Sequence, residues 1–392
     1  MQAVLNQPGT RPLAQHAPDS HGSKSMEGAV ASPQQMIVFE GVGKSYNGAV
    51  ALHPTDLTVK KGEFLSLLGP SGSGKSTILN IIAGAIAPSG GRVMLDGRDV
   101  ATVPPRERQL GMVFQNYALL PHLNVYENVA FPLKIRGVGA AEIRQRVGSA
   151  LERVGLVGYE KRKPREMSGG QQQRVGIARC IVYSPSVILM DEPLGALDKK
   201  LREQLQGEIK RLHKDLGTTL VYVTHDQEEA LNLSDRVCLM NGGRIAQLGT
   251  PDELYFEPRT EFVADFVGES NLLPGVVMDR GVVQVDGKWN IAVRGTEGYA
   301  TGDRVKVMVR PEKMRASLND NEADQLENRC QGKVTQASFV GGMTRYEVAL
   351  ADGRTVLVKG ISDRSAERSA PGCPLYMSWS ARDSVVIKQN PA

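Results

Sequence analysis

The sequence predicts an α/β fold: a P-loop nucleotide-binding domain with an inserted helical subdomain, followed by a small all-β domain. Three observations carry this. The run Gly69-Pro70-Ser71-Gly72-Ser73-Gly74-Lys75-Ser76-Thr77 has the G-x-x-x-x-G-K-[ST] spacing of a phosphate-binding loop, set between an apolar run and a helical pattern. The continuous apolar run Val187-Ile188-Leu189-Met190 reads as a parallel strand buried on both faces and ends in two adjacent acids, Asp191-Glu192. After about residue 270 the chain turns to short alternating strands and Asp-Gly turns with no long helical stripe.

At 392 residues the chain has room for two or three domains and a sizeable core. A hydrophobic fraction of 41% and a charged fraction of 23% are those of a globular protein, and no apolar run reaches the ~20 residues of a membrane-spanning helix. The net charge of +4 comes from interspersed acids and bases, which leaves no nucleic-acid footprint. Cys180, Cys238, Cys330 and Cys373 lie far apart without metal-ligand spacing and read as reduced, structural thiols of a cytoplasmic protein.

Residues 1–35 are rich in Pro, Gln and Ser, hold no aromatic residue and no signal-peptide core, and read as a disordered tail in which His16 and His21 are solvated. The first domain is expected over 36–270. Met36 to Glu40 and Leu57 to Lys60 read as strands flanking the Tyr46-Asn47-Gly48 turn, and Phe64 to Leu68 as the strand feeding the P-loop. Ile78, Leu79, Ile81, Ile82 and Ile86 mark one face of the following helix. Glycines let the loop backbone wrap a phosphate chain so that amides and the helix dipole face its oxygens. Lys75 would pair with the β- and γ-phosphates and the Ser76 hydroxyl would ligate Mg²⁺. Arg92 to Leu95 runs into an Asp96-Gly97 turn, and Met112-Val113-Phe114 is a short strand ending on Gln115.

From there to about residue 165 the pattern is helical: Asn124 and Glu127 form a capping box, and Ile143, Val147, Ala150, Leu151 and Val154 recur at helical spacing. The basic run Lys161 to Arg165 reads as a solvated loop. Ser168-Gly169-Gly170-Gln171 then opens a helix; its residues leave two readings open, an ordinary capping box or a second anion-binding helix N-terminus. At the end of the strand before Asp191-Glu192, alternation is expected to turn the acids to opposite sides, one toward Mg²⁺ and one toward the attacking water. Leu201, Leu205, Ile209, Leu212 and Leu216 form a core stripe closed by Gly217. The strand Thr219 to Thr224 delivers His225 to the same sheet edge, toward the γ-phosphate, and Asp226 with Glu229 caps the next helix. A hairpin at Asn241-Gly242 and a helix N-capped by Thr250 complete the domain.

The order of these pieces resembles the ATP-binding subunits of ABC transporters across residues 36 to about 268. Tyr46 matches the aromatic A-loop residue, Gly69 to Thr77 Walker A, Gln115 the Q-loop, Met167 to Gln171 the signature, Val187 to Asp191 Walker B, Gly195 to Asp198 the D-loop and His225 the H-loop. The resemblance implies ATP and Mg²⁺ as cofactors, with Ser76, Gln115 and Asp191 at the metal, Glu192 and His225 catalytic, and Tyr46 stacked on adenine. It also decides the reading of Ser168 to Gln171: in this family two chains sandwich two ATP molecules head to tail, each signature helix closing on the other chain's P-loop. Two departures are Met167 where leucine is usual and Gly195 where serine is frequent. Val309-Arg310-Pro311-Glu312 is similar to the oligobinding-type barrel of importer ATPases, expected here over 271–392. The runs Glu192 to Glu203 and Phe262 to Glu269 are most similar to spermidine/putrescine importers, although relatives serving iron, sulfate or sugars share much of this text. The resemblance therefore implies an ATPase on the cytoplasmic side of the inner membrane, partnered by a permease pair and, indirectly, a solute-binding protein. Non-transport members of the family usually carry two cassettes or a long coiled coil, and neither pattern is present.

Overall fold

The computed structural model describes residues 34–195, 197–287, 289–318, 326–362 and 370–388. The tail through residue 33 and Ala196 of the D-loop match lie outside these. The first element is a long antiparallel hairpin, β1 (Gln35–Tyr46) and β2 (Ala49–Lys60), which starts one residue inside the expected tail. Asn47 and Gly48, at φ 47° and 87°, supply the two left-handed residues its tight turn needs. With β4 (Gly90–Leu95) and β5 (Arg98–Asp99) it forms a four-stranded sheet in the order β2-β1-β4-β5.

The second sheet holds β3 (Phe64–Leu68), β6 (Gly111–Val113), β7 (Val187–Asp191), β8 (Thr219–Val223), β9 (Arg236–Asn241) and β10 (Arg244–Gly249) in the order β10-β9-β3-β8-β7-β6. All neighbours are parallel except the β9–β10 hairpin. Alternation along each strand sorts side chains to two cores. Leu65, Leu67, Val187, Leu189, Val221 and Val223 meet α1 (Lys75–Ala83) and the first sheet. Phe64, Ile188, Met190, Leu220 and Tyr222 meet the opposite layer, with α2 (Val125–Ile135), α3 (Ala140–Arg153), α4 (Gly169–Ile181) and α5 (Lys199–Leu216). This two-sided burial is why the strands read as continuous apolar runs.

Helix α1 is shorter than the apolar spacing predicts. Gly84 ends it in the left-handed region at φ 77°, with Gly84 N–H bonding Ile81 O and Ala85 N–H bonding Asn80 O, so Ile86 packs on the core from beyond the helix. Arg108 closes that end as well: its Nη1 donates to Ile81 O at 2.6 Å and Ile82 O at 2.9 Å. Capping boxes stand at Asn124–Glu127, Ser168–Gln171 and Thr250–Glu253. Helix α6 (Gln227–Leu233) departs from expectation: Asp226 accepts the Glu229 N–H, but the Glu229 side chain turns inward to Tyr222 and Thr224 instead of back to the cap.

Helices α7 (Pro251–Phe256) and α8 (Glu261–Val267) pack Leu254, Val263 and Val267 against Leu68 of β3 and Val237 and Leu239 of β9. Beyond them, among the described residues, the strands pair antiparallel, with one isolated parallel bridge between Arg294 and Val385. One five-stranded sheet runs β13 (Trp289–Ala292), β12 (Val282–Val285), β11 (Asn271–Asp279), β14 (Arg304–Val309), β20 (Ser384–Lys388). The other runs β15 (Arg315–Ser317), β19 (Pro374–Trp379), β16 (Asn328–Val340), β17 (Met343–Leu350), β18 (Thr355–Ile361). Their shared core is Val, Leu and Met around the fully buried Trp379, whose indole N–H bonds Ser384 Oγ at 2.9 Å. All four cysteines are free thiols, and burial pushes those of Cys180 and Cys238 up to about 12.

Candidate active site

The chemistry gathers where β3, β7 and β8 end, at the carboxyl edge of the parallel sheet, as open α/β sheets place their ligands. Between β3 and α1 the P-loop folds on glycines that nothing larger could replace. A Cβ on Gly69 (φ 147°) would lie 2.3 Å from Met240 O, and one on Gly74 (φ 100°) 3.0 Å from Ala51 O. Both walls come from other strands: β9 supplies Met240 and β2 supplies Ala51. The β9–β10 turn closes on the loop too, with Gly243 N–H donating to Ser73 O at 3.2 Å. The Asn241-Gly242 hairpin was legible in sequence, but its bracing role was not; the signal is Gly243, at φ 72° and with Ala51 O 3.0 Å from any added Cβ.

The outer face of this loop is open: Ser71, Gly72 and Ser76 are exposed. Lys75 is buried, and its Nζ donates to Gly69 O at 2.8 Å and Pro70 O at 2.9 Å. Burial lowers its pKa, while Glu192 and Asp191 pull the other way. Ser73 Oγ, inside the same loop, is buried without a hydrogen-bond partner among the described residues. An ammonium held on carbonyls, an orphaned hydroxyl and an open row of backbone fit a phosphate chain.

Asp191 is the last residue of β7, and burial raises its carboxyl pKa, with Glu192 adding to the rise and Lys75 opposing it. Strand alternation does not place Glu192, contrary to the sequence expectation. The chain has already left the strand there at φ 41°, and the left-handed turn, tied by Glu192 N–H to Val223 O at 3.0 Å, aims the carboxylate. Its Oε2 lies 3.2 Å from His225 Nδ1 and 3.5 Å from Gln115 Nε2. Gln115, Glu192 and His225 thus converge from the ends of β6, β7 and β8. Gly195 stands beside them with ordinary space, an added Cβ lying 3.7 Å from Glu192 O and 4.0 Å from Gln115 Nε2, so the serine frequent at this position would fit.

Two predicted groups stand apart from this cluster. Tyr46 is 45% exposed at the tip of the β1–β2 hairpin, with Lys44 Nζ 4.9 Å from its ring centre. Ser168 is exposed and forms its capping box, with Gln171 N–H donating to Ser168 Oγ at 3.4 Å and Ser168 N–H to Gln171 Oε1 at 3.1 Å, while its carbonyl accepts from Gln172 N–H at 2.9 Å. The capping-box reading of that helix start is met, and the box leaves the other first-turn amides open. Among the described residues no three His, Cys, Asp or Glu side chains cluster as a metal cage. The oxygen donors Ser76, Asp191 and Gln115 are a sparse set of the kind Mg²⁺ takes alongside substrate phosphates.

Residues 52–195 match the ABC transporter family and residues 307–387 the TOBE domain. The chain is 46% identical over 359 residues to the spermidine/putrescine import ATP-binding protein PotA of Acidothermus cellulolyticus, covering 88% of this chain and 91% of that one. It is 48% identical over 319 residues to PotA of Acetivibrio thermocellus, covering 81% and 88%. Among solved structures, the dimeric post-hydrolysis state of the ATP-binding cassette MJ0796 bound to ADP and Pi superposes with a TM-score of 0.50 at 36% identity, covering 55% of this chain and 99% of that one. The cbiO1 component of the ABC transporter complex of Clostridium perfringens gives 0.54 at 30% identity, covering 57% and 92%.

Proposed function

The chain belongs to the ABC transporter family of ATP-binding subunits, and on that premise we propose that it hydrolyses ATP to power polyamine import through a separate membrane permease. The observation that carries the hydrolytic reading is the convergence of Gln115, Glu192 and His225 on one point beside Lys75. Lys75 and the P-loop amides hold the β- and γ-phosphates. The Glu192 carboxylate orients the attacking water and takes its proton as the water oxygen bonds to phosphorus and the bond to the ADP oxygen breaks. His225, with Nδ1 3.2 Å from Glu192 Oε2, keeps that carboxylate in place. Ser76, Asp191 and Gln115 would hold Mg²⁺, which supplies charge neutralisation at the phosphate oxygens.

We place the boundary between the ATPase and C-terminal domains at about residue 270, and the helical subdomain, the permease-facing part, over 116–165. The open amides at Ser168 are read as the half-site that closes on the P-loop of a second copy, and Tyr46 as the adenine platform. No described helix is long and apolar enough to cross a membrane; the chain is proposed to sit peripherally on the cytoplasmic face, with a solute-binding protein acting on the far side.

The test is uptake of labelled spermidine, putrescine, ferric iron, sulfate and maltose in cells lacking this chain. A selective polyamine defect restored by the parent and not by Glu192→Gln is the expected result. Loss of iron, sulfate or sugar uptake alone would reassign the cargo, and copurification with ribosomes in place of a permease would overturn the transport reading.

A further inference from the structure

The segment that carries Gln115 out of β6 contains an unusual backbone. Tyr117 and Ala118 are consecutive and both left-handed, at φ 62° and 46°. Residues with a Cβ rarely adopt this region and rarely in adjacent pairs, so surrounding structure must hold them there. Within the loop, Tyr117 N–H bonds Phe114 O at 3.0 Å and Ala118 N–H bonds Asn116 O at 2.7 Å. The two carbonyls of the bend are taken by one side chain from another element: Arg179 of α4 donates from Nη1 to Ala118 O at 2.7 Å and from Nη2 to Tyr117 O at 3.0 Å. A planar guanidinium fork suits two carbonyls at a fixed angle, which an ammonium does not.

The same helix receives Tyr117 along its length. A Cβ on Gly169 would lie 3.4 Å from the Tyr117 hydroxyl, and one on Gly176 would lie 3.6 Å from Tyr117 O. The loop therefore lies along α4 at ordinary contact distance, from the turn beside Ser168 to the turn below Arg179.

We propose that Arg179 is a positioning residue for hydrolysis: it clamps the Tyr117–Ala118 bend to α4, so that Gln115 and the Ser168 end of that helix move as one body. This rests on Gln115 and Glu192 belonging to the hydrolytic centre. Without the clamp the left-handed pair relaxes and Gln115 leaves Glu192, while the P-loop, whose contacts are to β2 and β9, keeps its shape.

The experiment compares the full chain with Arg179→Met, Arg179→Lys and the double variant Arg179→Met/Ala118→Gly. Amide hydrogen exchange over residues 114–120 reads the clamp directly, and kcat and KM for ATP read its consequence. In Arg179→Met the amides of 117 and 118 exchange about tenfold faster or more. Its kcat falls by about 10- to 100-fold, as displaced catalytic groups do, with KM within about twofold. Arg179→Lys lies between, and Ala118→Gly recovers part of the lost kcat because glycine takes the left-handed region without strain.

Parental exchange at 117 and 118 in Arg179→Met overturns the clamp whatever the ATPase does. Faster exchange with unchanged kcat overturns its role in hydrolysis, provided Glu192→Gln is inactive. If Glu192→Gln also keeps the parental kcat, the hydrolytic-centre reading has failed, and the exchange result alone judges the clamp. Faster exchange across β7 and β8 as well would mark general unfolding of the Met variant, and Arg179→Lys then decides by the same two readouts.

Discussion

The two regions on either side of residue 270 are held together by different physics. In the first, parallel strands buried on both faces deliver loops from distant parts of the chain to one edge, so functional groups cluster there. In the second, antiparallel strands close a core around Trp379. The contrast teaches where information sits: the first region encodes chemistry at strand ends, the second encodes packing along strand faces. Between them lies one buried arginine. Arg310, at the end of β14, is 2% exposed and donates from Nη1 to Ala264 O at 2.8 Å and Gly268 O at 2.9 Å, and from Nη2 to Tyr255 O at 2.9 Å. It also stacks 4.3 Å from the Tyr255 ring centre, and the Tyr255 hydroxyl bonds Glu312.

The largest effect belongs to the strand ends. Glu192→Gln should lower kcat by about 10²–10³-fold or more while nucleotide binding persists, because a preorganised charge is lost and the phosphate cradle is untouched. Lys75→Ala should fail earlier, at binding. Equilibrium binding of a fluorescent ATP analogue beside steady-state turnover separates the two. Parental turnover in Glu192→Gln would remove the distinction drawn for the first region.

Next comes the join. Arg310→Met removes the guanidinium's donations to the Tyr255, Ala264 and Gly268 carbonyls, the last two of which keep Ser270 Oγ, and this loss of charged hydrogen bonds costs roughly 3 kcal/mol. Calorimetry should show the transition of the second region separating from that of the first, with kcat nearly unchanged. A single transition shifted as a whole, with kcat lost, would mean that the two regions are one cooperative unit.

These two cases also mark what the sequence made legible. The P-loop, Asp191-Glu192 and His225 were readable because each is a short local run placed by a strand or turn whose pattern is itself local. The aim of Glu192 was not, since it depends on a left-handed turn that residue type does not announce. Nor were the arginines. Arg108, Arg179 and Arg310 look like any surface arginine in sequence, yet their acceptors are backbone carbonyls 27, 61 and 46 residues away. Strands of the second region were visible as alternation and Asp-Gly turns, but the pairings β14 with β20 and β15 with β19 join segments far apart, and only the closed core selects them.

A smaller effect is expected at the hairpin tip. Tyr46 is half out in solvent, so Tyr46→Ala should leave stability within about 0.5 kcal/mol. If its ring stacks on adenine, ATP affinity falls by about 1–3 kcal/mol. Isothermal titration at fixed salt measures this, and an unchanged Kd removes Tyr46 from the site.

The smallest effect is a pH dependence that sets the regions apart. Among the described residues the carboxyls held above their ordinary range are Asp191, Asp265 and Glu229, all before residue 270; Glu160 before it and Glu327 beyond it are lowered. Glu229 is the most enclosed, 3% exposed, with Tyr222 and Thr224 hydroxyls each donating to Oε2 at 2.8 Å and Arg202 Nε 3.8 Å from Oε1. Burial raises its pKa, the two hydroxyls oppose the rise, Asp226 adds to it and Arg202 opposes it. A carboxyl with a raised folded pKa binds protons in the native state where the unfolded chain has released them. Its contribution to stability therefore improves as pH falls through the folded value toward the unfolded value near 4.5, the reverse of a salt-bridged carboxylate. Glu229→Gln removes that titration while its amide oxygen still accepts from Tyr222 and Thr224. Urea unfolding of parent and variant at pH 7.5, 6 and 5, followed by a probe in the first region, should show the parent gaining on the variant as pH falls. A gap that shrinks instead would mean that Arg202 dominates over burial, and that the first region's enclosed carboxyl behaves like an ordinary surface pair.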